Sequence, residues 1–293
     1  MENTKKMKKS PVIITGMHRS GTTMVTKCLE RVGLFAGEKK ESNNESLLFL
    51  KLNKWMLRHT NSYWDNPGNF QFVTDELVSE FHRVIKFHLN SFRSKRSYLG
   101  LRYALKYKTI EDIDFPWGWK DPRNTFTIDI WKKIFPDSKI INVIRHPMDV
   151  AISLRKRELR LLKLTSAGEV NGIINRLKEK FLKGTITYQQ SCRVTHINEG
   201  IELWKEYYIK SREMSNKYLN NYYEVRYESF LSDPYTGLSG LVQYLDLVVD
   251  DETIVKAIGD IDKSRKYAYI HDQKSKEHYR NFKDDKLIKS AGY

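Results

Sequence analysis

The sequence predicts an α/β protein with a mostly parallel central sheet flanked by helices. Three short strand candidates carry this prediction, and segments with helical spacing follow them. Residues 11–16 and 139–145 are rich in Val and Ile, and residues 222–227 contain three tyrosines and a valine. Strands that alternate with helices are typical of parallel sheets covered on both faces. Because the 293 residues contain no internal repeat, low-complexity tract or clear linker, we expect a single domain over residues 1–293.

The elements follow one another in a regular order along the chain. The first strand ends at Gly16, and a helix is predicted from Thr22 until Gly33. After the second strand, Pro147 occupies a position that is favoured at the start of a helix. The remaining predicted helices cover residues 47–57, most of 75–105, 148–154 and 235–244.

Two segments stand apart from this pattern. Residues 1–10 form a short basic N-terminal tail, and residues 155–203 are predicted to form a helical insertion. Residues 155–193 contain ten Lys or Arg but only three Glu. This insertion is either a solvated helical excursion or a flap that favours an anionic acceptor.

Composition narrows the class of protein. Lys and Arg total 51 against 36 Asp and Glu, a formal net charge of +15 that favours anionic partners without choosing among them. No zinc-finger, basic-zipper or aromatic RNA-binding pattern accompanies the charge, so nucleic acid is not the expected partner. With Cys28 and Cys192 as the only cysteines, we expect neither a disulfide scaffold nor a zinc cluster. The sequence has no run of ~20 apolar residues that could span a bilayer, and a reduced, cytoplasmic protein is predicted.

The segment from Gly16 to Thr23, GMHRSGTT, has the spacing of a phosphate-binding loop and lies between a strand and a helix. Such a loop directs backbone N–H groups and a helix N-terminus at a phosphate, and Arg19 adds a positive charge. Thr22 stands where a nucleotide triphosphatase carries lysine, and no strand clearly offers a metal-binding Asp. We therefore expect a P-loop-like domain that binds its anion without a metal.

Two further groups of polar residues follow along the chain. Residues 119–123 read Trp-Lys-Asp-Pro-Arg, and Arg145 follows the second strand with Ser153 eight residues later. Ligands of open α/β sheets bind in the crevice outside the carboxyl ends of the strands. Two anion sites at neighbouring strand ends fit a nucleoside 3′,5′-bisphosphate.

Five blocks of the sequence resemble motifs of the sulfotransferase superfamily that uses 3′-phosphoadenosine-5′-phosphosulfate (PAPS). They occur in the family's order, and the phosphate loop is most similar to that of tyrosylprotein sulfotransferases and their bacterial relatives. The blocks cover residues 16–23, 117–123, 143–153, 225–234 and 261–265. The last block lacks the Arg-Lys-Gly triplet of the cytosolic sulfotransferases.

The resemblance implies a role for each matching residue. The 5′-phosphosulfate would be bound by the loop residues Arg19, Ser20, Gly21, Thr22 and Thr23. Lys120 would reach the bridging oxygen, where negative charge develops. The remaining nucleotide contacts would come from Arg145 and Ser153 at the 3′-phosphate, from Tyr227, and from Ser264 and Arg265 in the covering segment.

The resemblance leaves two candidates for the general base. Glu45 lies in a segment, residues 43–53, that resembles the part of these relatives carrying a catalytic acid. The bland alternative is that Glu38, Glu41 and Glu45 form a solvated loop and helix cap. His18 is the rival base, because imidazole titrates near neutral pH and the residue lies within the phosphate loop.

The resemblance therefore implies a bacterial enzyme that moves a sulfuryl group from PAPS to a hydroxyl by in-line transfer. The acceptor would be a glycan, a lipid-linked precursor, a small metabolite or a peptide, with an acidic acceptor favoured by the positive charge. Two alternatives remain: a P-loop kinase or hydrolase, and a catalytically silent protein that binds a bisphosphonucleotide.

Overall fold

The computed structural model of the protein describes residues 8–169 and 191–293. Its central sheet has four parallel strands in the order β2-β1-β3-β4. The strands are β1 (Val12–Gly16), β2 (Gly118–Lys120), β3 (Lys139–Ile144) and β4 (Tyr222–Arg226). The α/β class, the parallel sheet and the three predicted strands are confirmed.

Strand β2 is the strand of this sheet that the sequence did not predict. Its three residues are all buried, and they pair with β1 so that Ile13 lies beside Trp119 and Ile14 beside Lys120. A strand this short gives no alternation to detect, and a lysine at its end hides its apolar character. The fourth strand nevertheless matters, because it brings Lys120 to the edge where β1 ends.

The predicted helices occur in the predicted order with shifted ends, and helices that were not predicted, among them Asn124–Ile134 and Asp251–Ile258, accompany them. The region predicted as mostly helical between 75 and 105 divides at Ser91, and Tyr227 begins a helix rather than ending a strand. The α-helices are α1 (Thr22–Arg31), α2 (Leu47–His59), α3 (Asp75–Asn90), α4 (Phe92–Lys106), α5 (Asn124–Ile134), α6 (Pro147–Glu169), α7 (Ile197–Lys217), α8 (Tyr227–Ser232), α9 (Pro234–Tyr244), α10 (Asp251–Ile258), α11 (Gln273–Tyr279) and α12 (Lys286–Ser290).

The predicted insertion over residues 155–203 is described only in part. Helix α6 continues to Glu169, well past the predicted end at residue 154, and α7 begins at Ile197. Between them, the described residues include a 3₁₀ turn at Arg193–Thr195. Residues 170–190 of the insertion, and 1–7 of the N-terminal tail, lie outside the described residues.

Apolar side chains cover both faces of the sheet. Ile13 and Ile140 belong to a core formed with helices α2 to α5, whereas Ile14 and Ile141 face a second core formed with α1, α9 and α10. A parallel sheet buried on both faces reads as continuous apolar strands, which is why β1 and β3 could be recognised. None of the helices in the described ranges is both long and apolar enough to cross a bilayer.

The described residues divide into two compact units. The first contains the whole sheet and comprises residues 8–145 and 207–266; the second comprises residues 146–169, 191–206 and 267–293. In the second unit, buried His146 accepts a hydrogen bond at Nδ1 from the Met148 N–H at 3.2 Å. Its ring also stacks on Tyr269, with centroids 4.4 Å apart, as suits a structural histidine. A single domain over residues 1–293 stays a prediction.

The stacked pair of Phe49 and Trp119 anchors α2 to β2. The rings are parallel with centroids 3.9 Å apart, and both side chains are fully buried. We predict that Phe49→Ala lowers the free energy of unfolding by about 3–5 kcal/mol, because it removes a buried ring and leaves a cavity. Denaturant unfolding of the purified protein measures this change. The exposed Phe72 provides the control, since Phe72→Ala should change stability by less than about 0.5 kcal/mol; equal losses in both variants would contradict the prediction.

Candidate active site

The loop after β1 can be built only with glycine at two positions. Gly16 has φ 129°, and a Cβ there would lie 2.4 Å from the Val143 carbonyl oxygen. Gly21 has φ 102°, and a Cβ there would lie 2.3 Å from the ring of Tyr227. Positive φ and close packing therefore both demand glycine, so the Gly-x₄-Gly spacing read from the sequence is a steric requirement.

The same loop presents groups suited to an anion. Gly21 is the N-cap residue of α1. Because it has no side chain, it cannot accept hydrogen bonds from the backbone N–H groups of Thr22 and Thr23 in the first turn. The Ser20 hydroxyl is buried, and no hydrogen-bond partner exists for it among the described residues. Buried hydroxyls are normally satisfied, so this one fits an external acceptor. An uncapped helix start beside such a hydroxyl is the arrangement that binds phosphate.

Arg19 is exposed and adopts the left-handed backbone conformation, with φ 72°. This conformation costs an ordinary side chain roughly 1–2 kcal/mol relative to the right-handed one. Strained non-glycine residues are concentrated at functional sites, where the surrounding structure enforces them. The strained backbone therefore occurs at Arg19, the loop residue that the sequence predicts to add positive charge for an anion.

Arg145 connects the phosphate loop to the late segment of the first unit. Its guanidinium donates to the Arg19 carbonyl at 3.4 Å and to the Arg265 carbonyl at 3.0 Å. It also lies over the ring of Tyr227, 4.5 Å from the centroid, and that ring packs on Gly21. Five sequence-predicted residues thus meet here through main-chain and ring contacts.

In the late segment, Ser264 and the side chain of Arg265 both interact with a neighbouring carboxylate. Ser264 donates its hydroxyl to Asp262, and the Arg265 guanidinium pairs with the same carboxylate at 3.1 Å. Both residues are exposed in a 3₁₀ turn, Lys263–Arg265. Ser153 belongs to α6 in the second unit, so its pairing with Arg145 stays a prediction.

Glu45 is not the solvated loop residue of the bland alternative. Its carboxylate is buried at the start of α2 and accepts a hydrogen bond from Lys120 at 3.0 Å. Arg123 lies 4.0 Å from the other carboxylate oxygen and 3.0 Å from Asp121. Two buried cations and two buried anions therefore form one compact cluster.

The environment of Glu45 favours its protonated form. Burial, and next the nearby charge of Asp121, raise the pKa of Glu45 to about 8, against the lowering effects of Lys120 and Arg123. A hydrogen bond with Glu41 acts in the same direction, and it correspondingly lowers the pKa of Glu41. A carboxyl group tuned to near-neutral pH can accept or release a proton under ordinary conditions.

The main-chain carbonyl of Asn43 joins this cluster to the phosphate loop. It accepts a hydrogen bond from Lys120 at 2.5 Å and another from the Thr23 hydroxyl at 3.0 Å. The Asn44 side chain is held in turn by Glu30 of α1, at 2.7 Å. The predicted phosphate loop, Lys120 and Glu45 are therefore neighbours in the first unit.

A buried polar network that the sequence did not reveal holds the cluster in place. Asn53 donates to Asp121 at 2.9 Å and to Asn124 at 2.8 Å. Its carbonyl oxygen accepts hydrogen bonds from Thr127 and Trp131, each at 2.8 Å. All these side chains are buried. The charged residues that follow Trp119 could be seen in the sequence. Nothing around Asn53 indicated that its side chain would bond to Asp121.

His18, the rival base, lies on the inner side of the loop. It is buried, and its ring is 4.5 Å from that of Trp64, with the planes inclined at 59°. Trp117 and Trp119 are fully buried in the core. His18 and Glu45 are both buried in the first unit, and both remain candidates for the base.

The chain is similar to several solved bacterial proteins at low sequence identity. The sulfotransferase domain of the Synechococcus PCC 7002 olefin synthase is 14% identical with a TM-score of 0.49, over 100% of this chain and 98% of that one. STF1 from Mycobacterium tuberculosis H37Rv is 15% identical with a TM-score of 0.44, over 87% and 72%. A sulfotransferase from Alicyclobacillus acidocaldarius is 14% identical with a TM-score of 0.43, over 90% and 97%.

Identities and TM-scores this low do not decide the family, and no curated protein matches the chain significantly. The sequence itself does decide it. The model of the Sulfotransferase family matches residues 11–251, which include the phosphate loop, the buried charge cluster and Arg145. The chain belongs to the sulfotransferase family.

Proposed function

We propose that this sulfotransferase uses PAPS as its donor and transfers the sulfuryl group to an acceptor hydroxyl. The observation that carries the proposal is the Asn43 carbonyl, which ties Thr23 of the phosphate loop to Lys120 and hence to Glu45. Anion-binding and proton-accepting groups thereby share one edge of the sheet. In-line transfer requires both kinds of group at the reacting centre.

When bound, PAPS supplies an activated sulfuryl group and a bisphosphate leaving group. The residues that would hold its 5′ end are Arg19, the buried Ser20 hydroxyl and the N–H groups from Gly21 to Thr23. Arg145, already fixed by two carbonyls, would hold the 3′-phosphate, and Tyr227 would pack against the nucleotide. Ser153, Ser264 and Arg265 keep the donor-side roles implied by the resemblance.

Glu45 is the proposed general base. Its unprotonated carboxylate would accept the proton of the acceptor hydroxyl, and Lys120 would keep that carboxylate oriented through the 3.0 Å bond. Lys120 also carries the positive charge that would offset negative charge at the bridging oxygen. His18 stays the alternative base. The chemical class of the acceptor and a cytoplasmic location stay predictions.

Titration with adenosine 3′,5′-bisphosphate, in EDTA, tests the donor site by calorimetry. We predict micromolar binding that weakens at least tenfold for AMP, because AMP lacks the 3′-phosphate, and at least tenfold in Arg145→Ala. Arg58→Ala removes an exposed arginine from α2 and should bind like the wild type. Equal binding of ATP would contradict the proposal and favour a kinase or hydrolase. Bisphosphate binding without turnover on a broad acceptor panel would favour the silent binding protein.

The pH dependence of turnover tests Glu45. Because the pKa of Glu45 is raised to about 8, the base form is scarce at low pH, and kcat should rise with pH and level off above about pH 8. Glu45→Gln should lower kcat by about 10²–10⁴-fold and abolish this rise.

The matched control for this experiment is Glu41→Gln. Glu41 raises the pKa of Glu45 through their hydrogen bond, so the variant should stay active with its pH rise moved to lower pH. If Glu45→Gln keeps the pH-dependent rise and His18→Gln loses it, His18 is the base and the assignment to Glu45 is wrong.

Arg19 is expected to contribute to catalysis at the expense of stability. Arg19→Gly removes the cation and also relieves the left-handed strain at φ 72°. We predict that kcat/KM falls at least 100-fold while the free energy of unfolding rises by about 1 kcal/mol. Steady-state kinetics and denaturant unfolding measure the two effects. Turnover within a few-fold of the wild type would remove Arg19 from the mechanism.

A further inference from the structure

Helix α4 exposes large apolar side chains to solvent. Tyr98, Leu99 and Ala104 pack into the core, while other positions of the helix, before and after Gly100, are open to solvent. Apolar side chains at these exposed positions are Phe92, Leu101 and Leu105, which are 47%, 54% and 70% exposed, and Phe87 at the end of α3 is 72% exposed. Scattered exposed apolar residues are normal, but several on one element mark an interaction surface.

The exposed positions of α4 also include cations without counter-ions. Arg93, Arg96 and Arg102 are exposed, and none of them makes a side-chain hydrogen bond or ion pair with any described residue. The surrounding sequence explains this, because residues 81–110 contain eight Lys or Arg and no Asp or Glu. Glu80, Glu111 and Asp114, which flank this stretch, pair with other cations of it, so the three exposed arginines add positive charge beside the exposed apolar side chains.

We propose that the exposed surface of α4 binds the surface of a membrane rich in anionic lipid. Helices that lie in a membrane interface carry Phe and Leu together with Lys and Arg, the apolar groups entering the acyl boundary and the cations meeting lipid phosphates. At Gly100 the helix takes a non-helical conformation, φ 77° and ψ 172°, so it consists of two segments, and each segment exposes both apolar and cationic side chains. The inference concerns membrane attachment and does not depend on the proposed donor.

A second copy of this chain is a poorer occupant of the surface. A two-fold interface would place Arg93, Arg96 and Arg102 opposite the same three cations of the partner, and such a like-charge arrangement is destabilising. A lipid phosphate layer supplies the missing negative charge. Charge complementarity therefore selects the lipid surface over self-association.

Vesicle co-sedimentation of the full-length protein tests the proposal. The probes are phosphatidylcholine vesicles with and without 30% phosphatidylglycerol, at low and high salt. We expect at least tenfold stronger binding to the anionic vesicles, weakening as salt screens the arginines. Leu101→Ser with Leu105→Ser, and separately Arg93→Gln with Arg96→Gln and Arg102→Gln, should each reduce that binding at least tenfold.

Matched variants separate this surface from the bulk charge of the protein. Lys133→Gln with Lys217→Gln and Lys256→Gln removes three charges elsewhere, and Leu219→Ser with Val248→Ser removes two exposed apolar residues elsewhere. Both controls should bind vesicles within twofold of the wild type. Equal losses in the controls and the α4 variants would overturn the proposal, as would the absence of binding to anionic vesicles.

Two further readouts complete the test. In the first, polyglutamate is added as a competitor for the vesicles. If it displaces the protein and the leucine variants still bind normally, the partner is an acidic protein and the lipid assignment is overturned. Adenosine 3′,5′-bisphosphate affinity should be unchanged in every α4 variant, which also verifies their folding. Loss of lipid binding with the nucleotide site intact is then distinct from a failure of the proposed function.

Discussion

Four ionisable side chains share the buried interior beside the end of β2, and their pairing is the constraint on which the rest of the site depends. Glu45, Lys120, Asp121 and Arg123 are two acids and two bases, all four are buried, and they sum to zero formal charge once Glu45, whose pKa is raised, is ionised. Removing one partner from a buried ion pair costs about 3–5 kcal/mol, because the other charge is left uncompensated. The cluster therefore requires four segments of the chain in register: the loop before α2, strand β2, the turn after it and, through Asn53, helix α2 itself. A change in any of these segments reaches Glu45.

Features formed by residues that are close in the sequence could be predicted, whereas contacts between residues far apart in the sequence could not. The phosphate loop is contiguous, and its glycines, its arginine and its place between strand and helix can all be read within eight residues. Asn53 and Asp121 are 68 positions apart, and nothing in the sequence around either residue indicates that the two are in contact. The same holds for Tyr227, whose contact with Gly21 arises because the ends of β1 and β4 lie at one edge of the sheet. Tertiary packing, rather than sequence spacing, created these contacts: β3 lies between β1 and β4, and Asn53 approaches Asp121 from helix α2.

Strand length explains the other shortfall. Strands of five and six residues, rich in Val and Ile, made β1 and β3 recognisable, whereas β2 has only three residues and ends in a lysine. Lys120 was singled out because it matched a family block, without any indication that it ended a strand. Glu45 was chosen over a solvated alternative on the same ground, and burial beside Lys120 removed that alternative. Its role as the base stays a prediction, as do the roles of the other site residues.

The carbonyl bonds of Arg145 have an entropic consequence. A free arginine side chain loses up to about 2 kcal/mol of rotamer freedom when it is immobilised, and a ligand that immobilises it bears that cost. Here the carbonyls of Arg19 and Arg265 already restrict the guanidinium, and the ring of Tyr227 supports it. Folding has therefore met this cost in advance. An anion that binds Arg145 would therefore meet a preorganised side chain. Its binding free energy would come mainly from the charge interaction, because little further side-chain entropy would be lost.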